Sequence, residues 1–120
     1  MMLTVEPVVD TASAPGVVVA RLRGSADIHS DKALEQGLSG VMRPGTRVVV
    51  LDMGDVDILT SMAIGVLVGF RTRVMAGGGR VAFARVPEII VKTMKFTRVS
   101  ELFAQYPTVA EAVTREAAKR

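Results

Sequence analysis

Chemistry in this chain would have to come from a small set of side chains. Cysteine is absent and histidine occurs once, at His29, which excludes disulfides, thiolate metal sites and a cysteine nucleophile. A single histidine also excludes a His-rich metal centre within one chain. The hydroxyl candidates are Thr60-Ser61 and Ser39. Gly37-Leu-Ser39-Gly-Val41 fails the nucleophile-elbow pattern because valine stands where glycine is required. His29 could serve Ser61 as a base across one rim of the fold, but a lone loop histidine beside Asp27 and Asp31 reads better as a surface or capping residue. Gly77-x-Gly79-x-x-Ala82 matches a relaxed dinucleotide fingerprint, but it follows a helical stretch and precedes a strand, the reverse of the order needed. Asp52, Asp55 and Asp57 can attract a divalent ion, yet they lack the EF-hand spacing and read as turn and strand-end residues. No phosphate-cradling glycine loop followed by Lys-Ser or Lys-Thr occurs. These readings disfavour catalysis and leave Thr60-Ser61 as the pair of interest. Either hydroxyl can cap a helix, and a helix start also favours a phosphate through its free N–H groups and dipole.

The elements that must position this pair follow from the pattern of apolar runs. Leu3–Val9 and Val17–Leu22 read as strands on either side of an Ala14-Pro15-Gly16 turn, with Gly24 closing the second. Asp31 to Met42 has Ala33, Leu34, Leu38 and Val41 on one helical face and stops at Pro44-Gly45. Arg47-Val-Val-Val-Leu-Asp52 is a β-branched run suited to a strand buried on both faces, and Gly54 to Leu59 reads as its connection onward. A helix is expected from Met62 to Ala76, ended by Gly77-Gly78-Gly79. Val81–Ala84 reads as a strand, Pro87–Met94 as a helix, Leu102-Phe103 as a short strand and Thr108–Ala118 as the last helix.

Alternation of strands and helices predicts an α/β fold with parallel strands, while the first two runs predict an antiparallel hairpin at the sheet edge. Parallel strands would bring Asp27, Thr60/Ser61 and Arg85 to one rim, where open α/β sheets usually place their sites. At 120 residues and 49% hydrophobic composition, one domain spanning residues 1–120 is expected, with an aliphatic core because only 4% is aromatic. The longest uncharged run, Ile58 to Phe70, is shorter than the ~18 residues of a membrane span, and the first residues do not resemble a signal peptide. A cytoplasmic location without membrane insertion is the expectation. The net charge is +3. Seven basic residues against Glu88 alone lie between Ile58 and Ser100, but no nucleic-acid recognition motif accompanies them.

Several strings, taken in order, resemble the STAS domain family, and the likeness runs from about Leu3 to Ala117. VARLRGSADIHS resembles the strand that ends in that family's G-E-L-D signature, with Gly24 and Asp27 in corresponding places. RVVVLDMGDVDIL resembles its central buried strand and acidic turn, and TSMAIGVLVGF its D-S-S-G-L-G-V-L segment. AGGGRVAFARVPEII and LFAQYPTVAEAV resemble the remaining pieces. The resemblance implies a mixed central sheet, an antiparallel hairpin followed by parallel strands, flanked by about four helices. It implies an anti-sigma factor antagonist, a non-enzymatic regulator of transcription that switches partners. Its partner would be an anti-sigma factor with a histidine-kinase-like ATPase fold, which supplies ATP and Mg²⁺, so no cofactor is expected here. Ser61 stands in the place of the serine that such a kinase phosphorylates, with Thr60 as an alternative acceptor. Thr60 replaces the family aspartate, Met62 the second serine and Ala63 the glycine. Asp27, His29, Ser30, Thr60, Met62 and Ile64 are the expected partner-binding residues. The alternative implied role is a STAS scaffold or transport-complex subunit that is never phosphorylated. Oligomeric state stays open.

Overall fold

A computed structural model describes residues 4–8, 16–26, 31–42, 45–96 and 98–119. In chain order the elements are β1 (Thr4–Val8), β2 (Val17–Ala26), α1 (Asp31–Val41), β3 (Val48–Leu59), α2 (Ser61–Ala76), β4 (Arg80–Ala84) and α3 (Glu88–Phe96). A 3₁₀ turn (Val99–Leu102), β5 (Ala104–Tyr106) and α4 (Val109–Ala118) complete the fold. The five strands form one sheet in sequence order. β1 and β2 are antiparallel, and β2–β3, β3–β4 and β4–β5 are parallel. The expected edge hairpin and parallel body are both present.

The β-branched runs are buried on both faces, as their composition requires. Val18, Ala20, Leu22, Val49 and Leu51 face a large apolar cluster with α1, α2 and α3. Val17, Val19, Val48 and Val50 face a smaller cluster with Ala112 of α4. The aromatic share is small but central: Phe83 and Phe103 stack with ring centroids 4.2 Å apart.

Four boundaries depart from expectation. The strand expected to end at Asp52 runs on to Leu59, where Gly54 to Leu59 had read as a connection. Beyond Asp52 its burial alternates in part: Asp55 and Asp57 face out while Val56 and Leu59 face in. It pairs there with β2 alone, and β2 likewise continues past Gly24 to Ala26. Register shifts between Arg21 and Arg23 and between Gly24 and Ser25 mark irregular β3 positions opposite β2, which bend such a pair out of a sheet. Leu102-Phe103 is not a strand. Leu102 ends the 3₁₀ turn, Phe103 is drawn into the core against Phe83, and the strand follows at Ala104–Tyr106. α3 extends to Phe96, past the expected end at Met94. The glycine stop after α2 is found where composition predicts it, and Gly78 is the residue with positive φ, +88°.

Candidate functional site

The extended β2–β3 pair delivers the chain to Thr60. Thr60 has extended backbone (φ −76°, ψ 164°), and its Oγ1 accepts a hydrogen bond from the Ala63 N–H at 3.3 Å. Its carbonyl accepts the first helical bond, from Ile64 N–H at 2.9 Å. Thr60 is therefore the N-cap of α2. Ser61 is the first helical residue and is exposed, and among the described residues its hydroxyl has no hydrogen-bond partner. The N–H groups of Ser61 and Met62 precede the first helical bond and have no intrahelical acceptor.

The next residues divide between surface and core. Met62 is 53% exposed, while Ala63 and Ile64 are buried in the cluster beneath. Ile64 was expected at the partner surface; at 5% exposure it supports the helix from below and cannot be reached. The reason is helical geometry, since Ile64 lies on the same inward face as Leu67. Asp27, His29 and Ser30 lie outside the described residues. The strand before them ends at Ala26, which pairs with Leu59, the residue that precedes Thr60.

α2 is largely apolar, and its outward face carries two glycines beside Met62 and Arg73. Gly65 and Gly69 are exposed, and a Cβ built at either position would meet nothing within 4 Å. Together with Met62, Val66, Phe70, Arg73 and Glu35 of α1 they line an open hollow of about 430 Å³. A second hollow of about 230 Å³, bordered by Ser39, Met42, Phe70, Arg73 and Val74, shares two of its residues. The α1–α2 seam thus carries an apolar groove leading away from Ser61. Sequence reasoning passed over it, although two glycines four apart in a helix are a readable sign of an uncovered stripe.

Arg85 was expected on the same rim as Ser61, and its side chain is engaged elsewhere. β4 stops level with Asp52, whereas β3 continues to Leu59 before Thr60. The Arg85 guanidinium donates from Nε to Asp52 Oδ1 and from a terminal nitrogen to Asp52 Oδ2, both at 2.8 Å. Arg21 Nε lies 3.5 Å from the same carboxylate, and the Gly54 N–H donates to Oδ1 at 3.1 Å. Burial pushes the Asp52 pKa up, but the Arg85 hydrogen bonds, the Gly54 N–H and the charges of Arg85 and Arg21 outweigh it and hold the carboxyl below its ordinary value. A Cβ at Gly54 would come within 2.5 Å of the Arg85 guanidinium carbon, so glycine is what lets the arginine lie across the strand. Asp52 is thereby a paired structural ion, not a free metal ligand, and no cluster of three or more metal-ligating side chains occurs among the described residues. A second buried acid, Glu116, accepts from Tyr106 Oη at 2.6 Å and from Arg80 Nε at 3.3 Å, tying α4 to the sheet.

No helix among the described residues is long and apolar enough to cross a membrane. The STAS domain family model matches residues 8–112 of the chain. A search by sequence among curated proteins finds no match. An anti-sigma factor antagonist from Mycobacterium paratuberculosis superposes with a TM-score of 0.78 at 21% identity, over 95% of this chain and 93% of that one. SpoIIAA of Bacillus, an anti-sigma factor antagonist, superposes at 20% identity in both its unphosphorylated form (TM-score 0.73, 94% of each chain) and its phosphorylated form (TM-score 0.65, 94% of this chain and 97% of that one). The murine anion transporter Slc26a9 gives a TM-score of 0.81 at 14% identity, over 98% of this chain but only 22% of the transporter. At these identities the likeness is one of fold.

Proposed function

Because the chain belongs to the STAS domain family, we propose that it is an anti-sigma factor antagonist that regulates transcription by switching partners, with Ser61 as the phosphorylated switch. The observation that carries this reading is the division of labour at the start of α2. Thr60 caps the helix, and Ser61 is left exposed with an uncommitted hydroxyl beside an apolar groove. A residue that held the helix together would be a poor substrate. Ser61 has no such duty.

The departures from the family's D-S-S-G string fit this division. Threonine replaces aspartate at the cap, and both are good N-cap residues. Alanine replaces glycine at position 63, where the side chain packs into the core. A phosphate on Ser61 would bring about −1.5 to −2 charges to a helix N-terminus, which favours anions, so the free domain should remain folded. A partner that covers Ser61, Met62 and the groove would have to bury that charge, and binding would weaken. Asp27, His29 and Ser30 are proposed to complete the partner surface, and the partner to be an anti-sigma factor with a histidine-kinase-like ATPase fold. The proposed protein acts by binding and not by catalysis, as one domain in the cytoplasm.

The likeness to Slc26a9 favours a second reading, a scaffold or transport-complex subunit. Isolation of the native protein with its partners, followed by mass spectrometry, separates the two. An ATPase of the histidine-kinase type with phosphate on Ser61 supports switching. A transporter complex with Ser61 unmodified refutes it.

A further inference from the structure

Among the described residues, three of the seven exposed large apolar side chains, including the two most exposed, lie on α3 and in the 3₁₀ turn that follows it. Phe96, one of only four phenylalanines, is 92% exposed, and Ile89 is 67% exposed. Residues seven apart share a helix face, about 10 Å apart along the axis. Leu102, 40% exposed, closes the 3₁₀ turn that follows. Aromatic side chains are rarely left so bare, and exposed apolar residues sharing one helix face mark a contact surface.

Cations flank it. Lys92 and Lys95 are exposed on α3, and Arg98 is exposed with φ +62°, a left-handed backbone that a non-glycine residue seldom adopts. Lys92 lies 3.9 Å from Glu88, while Lys95 and Arg98 have no ion pair among the described residues. Glu88 and Glu101 are the acids of this stretch, so its cations exceed its acids by one, Lys92, Lys95 and Arg98 against two.

We propose that this corner attaches the protein reversibly to an anionic lipid surface. Phe96 and Ile89 would enter the boundary between headgroups and acyl chains, and Lys92, Lys95 and Arg98 would lie at the level of the lipid phosphates. The projecting ring favours lipid over a protein partner, because a bilayer yields around a knob whereas a protein must offer a pocket already shaped to it. The cations supply the charge complement. The two acids keep the net charge low, so attachment needs the apolar and electrostatic contributions together and is weak and salt-sensitive. None of these residues belongs to the α2 site, and the proposal stands apart from partner switching.

The test is co-sedimentation of the full chain with phosphatidylcholine vesicles, with and without phosphatidylglycerol, at low and high salt. Binding is expected only to the phosphatidylglycerol vesicles at low salt. Phe96→Ser should lower the partition about ten-fold. Lys95→Gln and Arg98→Asn should each lower it about five-fold. All three side chains are exposed, so unchanged melting curves verify that the variants fold. Failure of the wild type to bind the anionic vesicles, or equal binding by the variants, overturns the proposal. It is overturned equally if the wild type ignores lipid and Phe96→Ser instead abolishes a concentration-dependent rise in sedimentation coefficient, since the face would then cover a second copy.

Discussion

Replacing Gly65 and Gly69 together with alanine separates what the groove does for the fold from what it does for a partner. Both glycines lie inside α2, and the added methyl groups would meet no atom within 4 Å. The backbone there is ordinary helix, so the substitution introduces no strain. Glycine inside a helix is about 0.8–1.0 kcal/mol less favourable than alanine, which makes the double variant about 2 kcal/mol more stable. For a chain of this length, at roughly 2.1 cal/mol/K of unfolding entropy per residue, that raises the Tm by about 8 °C. The same methyl groups intrude on the hollow of about 430 Å³ beside Ser61. A partner side chain seated there would meet an overpacked site, and steric misfits of this size cost about 1–3 kcal/mol, or roughly five-fold to over a hundred-fold in affinity. Calorimetric melting and titration with the proposed anti-sigma partner measure both effects. A variant more stable than wild type but weaker in binding fits the account. A lower Tm would refute the open-groove geometry, and a higher Tm with unchanged affinity would refute the groove as a docking surface.

The two hydroxyls at the start of α2 should respond in opposite ways: Thr60→Ala removes the cap and should cost about 1 kcal/mol, near 4 °C in Tm, whereas Ser61→Ala should stay within about 0.5 kcal/mol of wild type. Arg85→Met strips the buried Asp52 carboxylate of its two shortest hydrogen bonds and should cost about 2–3 kcal/mol in urea unfolding. The Asp52 pKa is lowered on folding, so its contribution to stability is fully present above the unfolded value of ~3.9 and is lost as pH falls through the folded value. Asp52→Asn should therefore be less stable than wild type at neutral pH, with the gap narrowing below about pH 4; a gap independent of pH would show that the charge is not what matters.

The sheet was legible because its signals are physical and redundant. Val17–Leu22 and Arg47–Leu51 are β-branched enough to demand burial on both faces, and Gly77-Gly78-Gly79 can only stop a helix. The far half of β3 was not legible, because Gly54-Asp55 carries turn chemistry and tertiary pairing with β2 overrides it. Phe103 misled for a related reason: an apolar pair suggests a strand, but the stack on Phe83 draws Phe103 into the core ahead of β5. At the site, the sequence identified the hydroxyl pair but could not assign the cap, since either residue could accept from the helix. Only the extended backbone of Thr60 decides it. Ile64 could not be told from Met62 by residue type, because in a helix this apolar only packing separates the inward face from the outward one. The Asp52–Arg85 pair joins residues 33 apart in sequence, and no local pattern announces it.

The central claim is that Ser61 is a switch for binding and not a support of the fold. Titration of the proposed anti-sigma partner into wild type, Ser61→Ala and Ser61→Asp, with melting curves on the same samples, tests it most directly. Ser61→Ala should bind like wild type. Ser61→Asp should melt at or slightly above the wild-type temperature, because an acid in the first turn of α2 is worth about 0.3–1 kcal/mol, yet bind at least ten-fold more weakly. Equal affinity of all three forms, or loss of binding only in proportion to loss of stability, would contradict the account.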